Sequence, residues 1–406
     1  MQSIVFLGSN KSGTSRDAIK AAEDLGYFTV LITNKDRFMK QRDEFHDVKK
    51  MIYVESIDRS HCKEQITILQ QQGIDICACI SFVDPYVHLA AMLSKEIGLF
   101  QSSTDALFKM EEKTRIREAL KNLSVTPFYT LFHPNELVDS FVEQYKNQLP
   151  LILKPPASNG SKDIFLVETK SDFRQGLKQL KKKHPNMPVL VEEYLNGPQY
   201  LIEVVAYNNQ LNIIGVIEQE ISNDNRFIVM GYKYPAALVH EEYEILEEAI
   251  TTILNSLDLR DGSCHLEMRN IKGKWKLIEI NPRMSGGAMN RILYEGTGIN
   301  LAKEIIKLYL GEIPSFITSR NTHVYARFLT VSSAGRLLKV TGENRAANYE
   351  GVKDVYVKPH CGSLLTEPYS LGNRYAYVIA SSDTQEEAER IALNAAKEIK
   401  FYIEPY

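Results

Sequence analysis

Residues 262–287 read GSCHLEMRNIKGKWKLIEINPRMSGG. Two apolar-rich segments each carry one acid, Glu267 and Glu279, and the second runs on into Asn281, Arg283 and a Gly286-Gly287 turn. The pattern predicts a β-hairpin, which sets oxygen donors of neighbouring strands side by side with a guanidinium just beyond. Hard oxygen donors beside a cation suit magnesium held against a polyphosphate. The rest of the chain must then supply the polyphosphate and a substrate.

The chain has 406 residues, enough for two or three domains with sizeable cores. A formal net charge of -3 leaves no basic footprint for nucleic acid, so no such partner is expected. Lys181-Lys182-Lys183 reads as a solvated helix end. No run approaches the ~20 apolar residues that cross a bilayer, and MQSIVFLGSN lacks the features of a signal peptide. Five scattered cysteines without a zinc-like pair fit reduced thiols, and a cytoplasmic protein is expected.

Strands at SIVFLG, FTVLIT, IYVE and ICACIS alternate with helical patterns and predict a parallel, doubly wound domain over residues 1–100. Its first loop offers Gly8, Ser9 and Gly13 but not the dinucleotide spacing, which argues against a Rossmann cofactor site. Pro85 stiffens a possible pocket wall at 81–87. Residues 102–122 read as one helix with Lys113 in its middle. PLILKPP then forms a strand ending in Lys154, followed by a small-residue loop, ASNGSKD, and a returning strand. Peptide N–H groups of such a loop, with Ser158, Gly160 and Ser161, can face phosphate oxygens. A connector containing Glu192, Glu193, Tyr194 and Leu195 can offer a purine its peptide groups and a carboxylate. Residues 101–185 are thus read as linker helices and a small lobe, and 186–406 as a large lobe ending in an α+β subdomain from about 320.

Each motif is weak alone, but their order resembles the ATP-grasp superfamily of carboxylate–amine ligases. EINPRMSGG carries the resemblance most specifically, and the C-terminal texture is most like the bacterial L-amino-acid ligases, which join two unprotected amino acids. The resemblance implies an α/β and α+β multidomain chain with an ATP-grasp fold, an N-terminal parallel-sheet domain and a C-terminal mixed lobe. It implies that Lys113 and Lys154 contact nucleotide phosphates under the 157–162 flap. Glu192 would accept from the adenine amine, the Leu195 N–H would meet the ring, and Gln199 and Glu203 would lie near ribose or phosphates. Glu267, Glu279 and Asn281 would hold two magnesium ions, with manganese as an alternative, and Arg283 would hold the transferred phosphate and reacting carboxylate.

ATP would convert an unreactive carboxylate to an acyl phosphate that an amine attacks, releasing ADP and phosphate. In FIVMGYKYPA, Val229 and Tyr232 stand where related ligases often carry an acid and a histidine. A less polar pocket of Pro85, Met230 and Tyr232 predicts an apolar first amino acid, such as methionine or leucine. Gly286 and Gly287 predict either close backbone approach or room for a small second one. A homodimer is compatible with the resemblance. The alternatives are a biotin-carboxylase-like or D-alanine–D-alanine-like ligase, or a nucleotide-binding regulator without turnover.

Overall fold

The computed structural model describes residues 1–156, 160, 162–222 and 227–405. In the N-terminal domain four parallel strands lie in the order Lys50–Tyr53, Phe28–Thr33, Gln2–Leu7, Asp75–Ile80. The period-2 geometry of a strand sends alternate side chains to opposite faces. Ile4 and Phe6 accordingly join one core with Ala18 and Ile19 of helix Thr14–Asp24. Val5 and Leu7 join another with Cys62 and Ile66 of Arg59–Gln71 and Leu93 of Val87–Glu96. Both faces are therefore covered, which is why these strands read as continuous apolar runs.

The expected helix over 102–122 is two, Thr104–Met110 and Lys113–Ala119. Glu112 is extended between them, so Lys113 opens the second helix instead of sitting mid-helix. Four antiparallel strands then form the small lobe, ordered Tyr129–Phe132, Val189–Glu193, Leu151–Lys154, Phe165–Val167. Helices Val138–Tyr145 and Lys170–Lys183 cover it, packing Phe141, Phe173 and Leu177 onto Leu151 and Leu153. The strand Val189–Glu193 is an inner strand of this sheet, which thus reaches past the expected boundary at 185.

Eight antiparallel strands build the large sheet. The 262–287 hairpin forms one edge, Gly262–Ile271 against Lys274–Asn281, and Gly262–Ile271 pairs in turn with Gln199–Tyr207. Gln210–Ile221 and Val229–Tyr234 follow, then His323–Leu329, Ala376–Ser382 and Val352–Val357. The C-terminal residues thus continue the large lobe's own sheet. A three-stranded sheet and helix Gln385–Ala396 complete them.

Candidate active site

The hairpin register places Glu267 opposite Glu279 and His265 opposite Asn281. Residues two apart share a face, so all four side chains converge. The Asn281 amide donates to Glu279 Oε1 at 3.1 Å and lies 3.2 Å from His265 Nε2. His265 Nδ1 is 2.7 Å from the Arg283 carbonyl. Burial and the Arg283 charge lower the imidazole pKa to about 4. A neutral ring donating from Nδ1 satisfies both contacts and leaves Nε2 to fix the Asn281 amide. The side chains of Gln199 and Gln219 reach the Glu267 carboxylate at 3.3 and 3.4 Å. Burial and the facing Glu279 push Glu267 upward. Glu279 is held down, because Lys113 and Lys154 outweigh its burial. Two carboxylates that crowd each other, beside an amide, fit a divalent cation as their neutralising partner. Among the described residues no three His, Cys, Asp or Glu side chains form a closed metal cage.

Between the small lobe and the large sheet lies an open cleft of about 820 Å³ including its solvent-filled mouth, bordered by Lys113, Lys154, Glu192, Glu193, Tyr194, Leu195, Gln199 and Glu279. Lys113 Nζ donates to Glu279 Oε1 at 3.2 Å. Lys154 Nζ lies 2.5 Å from Glu192 Oε2, and Arg117 Nε donates to the other Glu192 oxygen. All three side chains of this group are at most 5% exposed. Burial pulls the Lys154 ammonium down. Glu192 stays ionised below the usual range, its burial outweighed by Arg117 and Lys154. Both Glu192 oxygens are thus held by cations of the protein, while Glu192 still lines the cavity in which the resemblance implies that it accepts from the adenine amine. The connector is braced by Arg269, which donates to the Leu195 carbonyl and, at 3.0 Å, to Gln199 Oε1.

A second cavity is lined by Asp84, Pro85, Met110, Glu111, Lys113, Pro156, Glu279, Ile280 and Asn281. Lys113 and Glu279 therefore border both cavities. Arg283 reaches across to the N-terminal domain, where its Nε donates to Asp84 Oδ2 at 2.9 Å and Nη2 to the same oxygen. Asp84 Oδ1 is buried and, among the described residues, has no hydrogen-bond partner. Glu111 accepts from the His88 N–H at 2.9 Å, and burial raises its carboxyl to about 7.

The expected pocket wall is only partly assembled. Pro85 lines the second cavity, but Met230 and Tyr232 are not among its described walls. Tyr232 is buried against Phe328, ring centroids 5.5 Å apart, because alternation turns it into the core. Glu203 also departs from expectation and is not among the described walls of the nucleotide-sized cavity. It is 1% exposed, its Oε1 accepts the Ser285 N–H at 2.9 Å, and burial raises its carboxyl to about 8. It anchors the turn after Arg283. Gly287 has φ +69°, and Gly13 packs so closely that a Cβ there would lie 3.0 Å from the Gly287 carbonyl. Around Gly286 the space is open. Ser158 and Ser161 lie outside the described residues, whereas the Gly160 carbonyl accepts the Leu371 N–H at 3.0 Å. Sequence reading missed Asp84, Arg117, His265, Gln219 and Arg269. Two of them left a local signal: His265 stands two residues before Glu267 on one strand face, and Asp84 lies in the 81–87 stretch read as a pocket wall.

Residues 147–291 match the ATP-grasp domain family, and residues 327–404 match the L-amino acid ligase C-terminal domain 2 family. The chain is 29% identical over 266 residues to the uncharacterized protein y4rH of Sinorhizobium fredii, covering 64% of this chain and 54% of that one. It is 22% identical over 246 residues to dapdiamide A synthase of Enterobacter agglomerans, covering 58% of each. The chain thus spans little more than half the length of these curated relatives. The crystal structure of an L-amino acid ligase from Bacillus licheniformis superposes with a TM-score of 0.84 at 17% identity, covering 100% of this chain and 99% of that one. Phosphoribosylglycinamide synthetase from Anaerococcus prevotii gives 0.74 at 15% identity, with both chains fully covered.

Proposed function

We propose that this chain, an ATP-grasp protein whose C-terminal lobe is of the L-amino acid ligase type, joins two unprotected L-amino acids into a dipeptide at the expense of ATP. The observation that carries the reading is that Lys113 and Glu279 border both the nucleotide-sized cavity and the second cavity beside Arg283. A phosphoryl group passing from one to the other crosses that shared wall.

In this reading the purine lies against the Glu193–Leu195 connector and is met by its peptide groups. Lys113 and Lys154 face the phosphates, and Glu192 with Arg117 keeps Lys154 in place. Glu267, Glu279 and Asn281 would hold magnesium, two ions in the full form of the proposal. When bound, magnesium would neutralise charge on the transferring phosphoryl group. A carboxylate oxygen of the first amino acid attacks the γ-phosphorus, the bond to the β-bridging oxygen breaks, and ADP leaves. The amine of the second amino acid attacks the acyl carbon, inorganic phosphate departs, and the amine loses a proton. Arg283 stabilises the charge that gathers on the oxygens in both steps. Asp84 Oδ1 and Glu111 hold the first ammonium, while Pro85, Met110 and Ile280 favour an apolar side chain of the methionine or leucine kind. We place the enzyme in the cytoplasm, in keeping with five free cysteines. No helix among the described residues is long and apolar enough to cross a membrane. A homodimer remains part of the proposal.

The test is ADP release across amino-acid pairs with ATP and magnesium, with hydroxylamine trapping of the acyl phosphate and a product mass. ATP binding without ADP release under any amino-acid mixture overturns the reading.

A further inference from the structure

A third cavity lies between the loop at residues 10–13, the Gly287 turn and the C-terminal lobe, and encloses about 1830 Å³ including its mouth. Its charged walls are Lys11, Arg37, Glu44, Lys358 and Arg374, with His360 beside them. Lys11 is neutralised by Glu44 at 2.8 Å. Among the described lining residues no acid remains to face Arg37, Lys358 and Arg374. Lys358 donates to the Gly372 carbonyl at 2.8 Å and Arg374 Nη1 to the Val229 carbonyl at 3.1 Å, neutral partners that orient the cations without cancelling their charge. The Arg374 guanidinium lies 3.9 Å from the Phe328 ring centroid. Its Nη2 is 4.0 Å from where a Cβ on Gly287 would stand, so it faces the turn that follows Arg283. Leu371 belongs to the walls of this cavity and of the nucleotide-sized one. The space therefore adjoins the nucleotide-sized cavity across Leu371, and its described walls carry surplus positive charge.

Resting on the ligase reading, we propose that this cavity seats the amine-donating substrate and selects one with a second anionic group, such as an acidic amino acid. A single α-carboxylate answers one of the three cations, and a side-chain carboxylate or phosphate answers another. The volume also exceeds what a small second residue would fill. Gly287 leaves the turn beside Arg374 clear of any side chain.

Dipeptide formation is measured with one fixed acyl donor and glutamate, glutamine, O-phosphoserine, glycine or lysine as acceptor, while hydroxylamine reports acyl-phosphate formation independently. Glutamate should exceed glutamine in kcat/KM by about tenfold or more, as one charge-assisted contact implies. O-phosphoserine separates a preference for any second anion from one for a carboxylate. The charge reversal Lys358→Glu should collapse the glutamate preference and raise the use of lysine, and Lys358→Arg should restore it. Lys358 is exposed, so these variants should fold. Hydroxamate formation with equal or better use of glutamine overturns this proposal alone. Absence of hydroxamate with every amino acid overturns the ligase reading and this one with it.

Discussion

Replacing Asp84 by asparagine removes one charge and almost no volume. Asp84 is 9% exposed in its side chain, one oxygen is taken by Arg283, and the other is buried, without a partner among the described residues, at the wall of the second cavity. An ammonium placed there would form a charge-assisted hydrogen bond, worth about 1.5–3 kcal/mol. Asp84→Asn should therefore lower kcat/KM for the first amino acid by about 10- to 150-fold. The KM for ATP should change little, because Asp84 does not border the nucleotide-sized cavity. The assay is coupled ADP release with hydroxylamine as acceptor, run with methionine and with its desamino analogue. If Asp84 reads the ammonium, wild type should lose on the desamino analogue what the variant already lost on methionine, and the variant should lose little more. A variant that discriminates the two substrates as sharply as wild type would falsify the assignment.

Glu279→Ala and Arg283→Ala should each reduce amino-acid-dependent ADP release by at least ~100-fold, by analogy with lost oxyanion contacts, while circular dichroism stays native. Arg117→Met leaves Glu192 with one cation and the Ile278 carbonyl without its 2.7 Å donor. Breaking a buried pair in this way should cost about 3–5 kcal/mol in urea unfolding and raise the KM for ATP. Glu203 has its pKa raised from 4.5 to about 8, so its protonated form is favoured in the folded state. That contribution is full below pH 4.5 and is lost as pH rises through about 8. Glu203→Gln should hence stabilise the protein above pH 8, with a ceiling of about 5 kcal/mol, and change little at pH 4. A uniform shift at both pH values would argue for a packing effect instead.

Much of the architecture was legible because local pattern and tertiary environment agree. The doubly wound domain shows as apolar strand runs, since both faces of its sheet are buried. The hairpin shows as alternation, which alone places Glu267 beside Glu279 and both beside Asn281. The family resemblance added the two lysines, and Lys113 and Lys154 do border one cavity. The 102–122 region misled because its helical periodicity continues through Glu111 and Glu112, where Glu111 turns to cap the His88 N–H. Tyr232 misled because its strand turns it inward toward Phe328.

By itself, then, the sequence determined the fold class, the acid-bearing hairpin and the order of its partners, all properties of neighbours along the chain. Tertiary structure decided who answers Arg283, what Glu192 and Glu203 do, and where the surplus cations gather. Asp84 and Arg283 lie 199 positions apart, on a loop and a turn that belong to different domains. No periodicity links such residues. Their pairing exists only because two separately built sheets meet there.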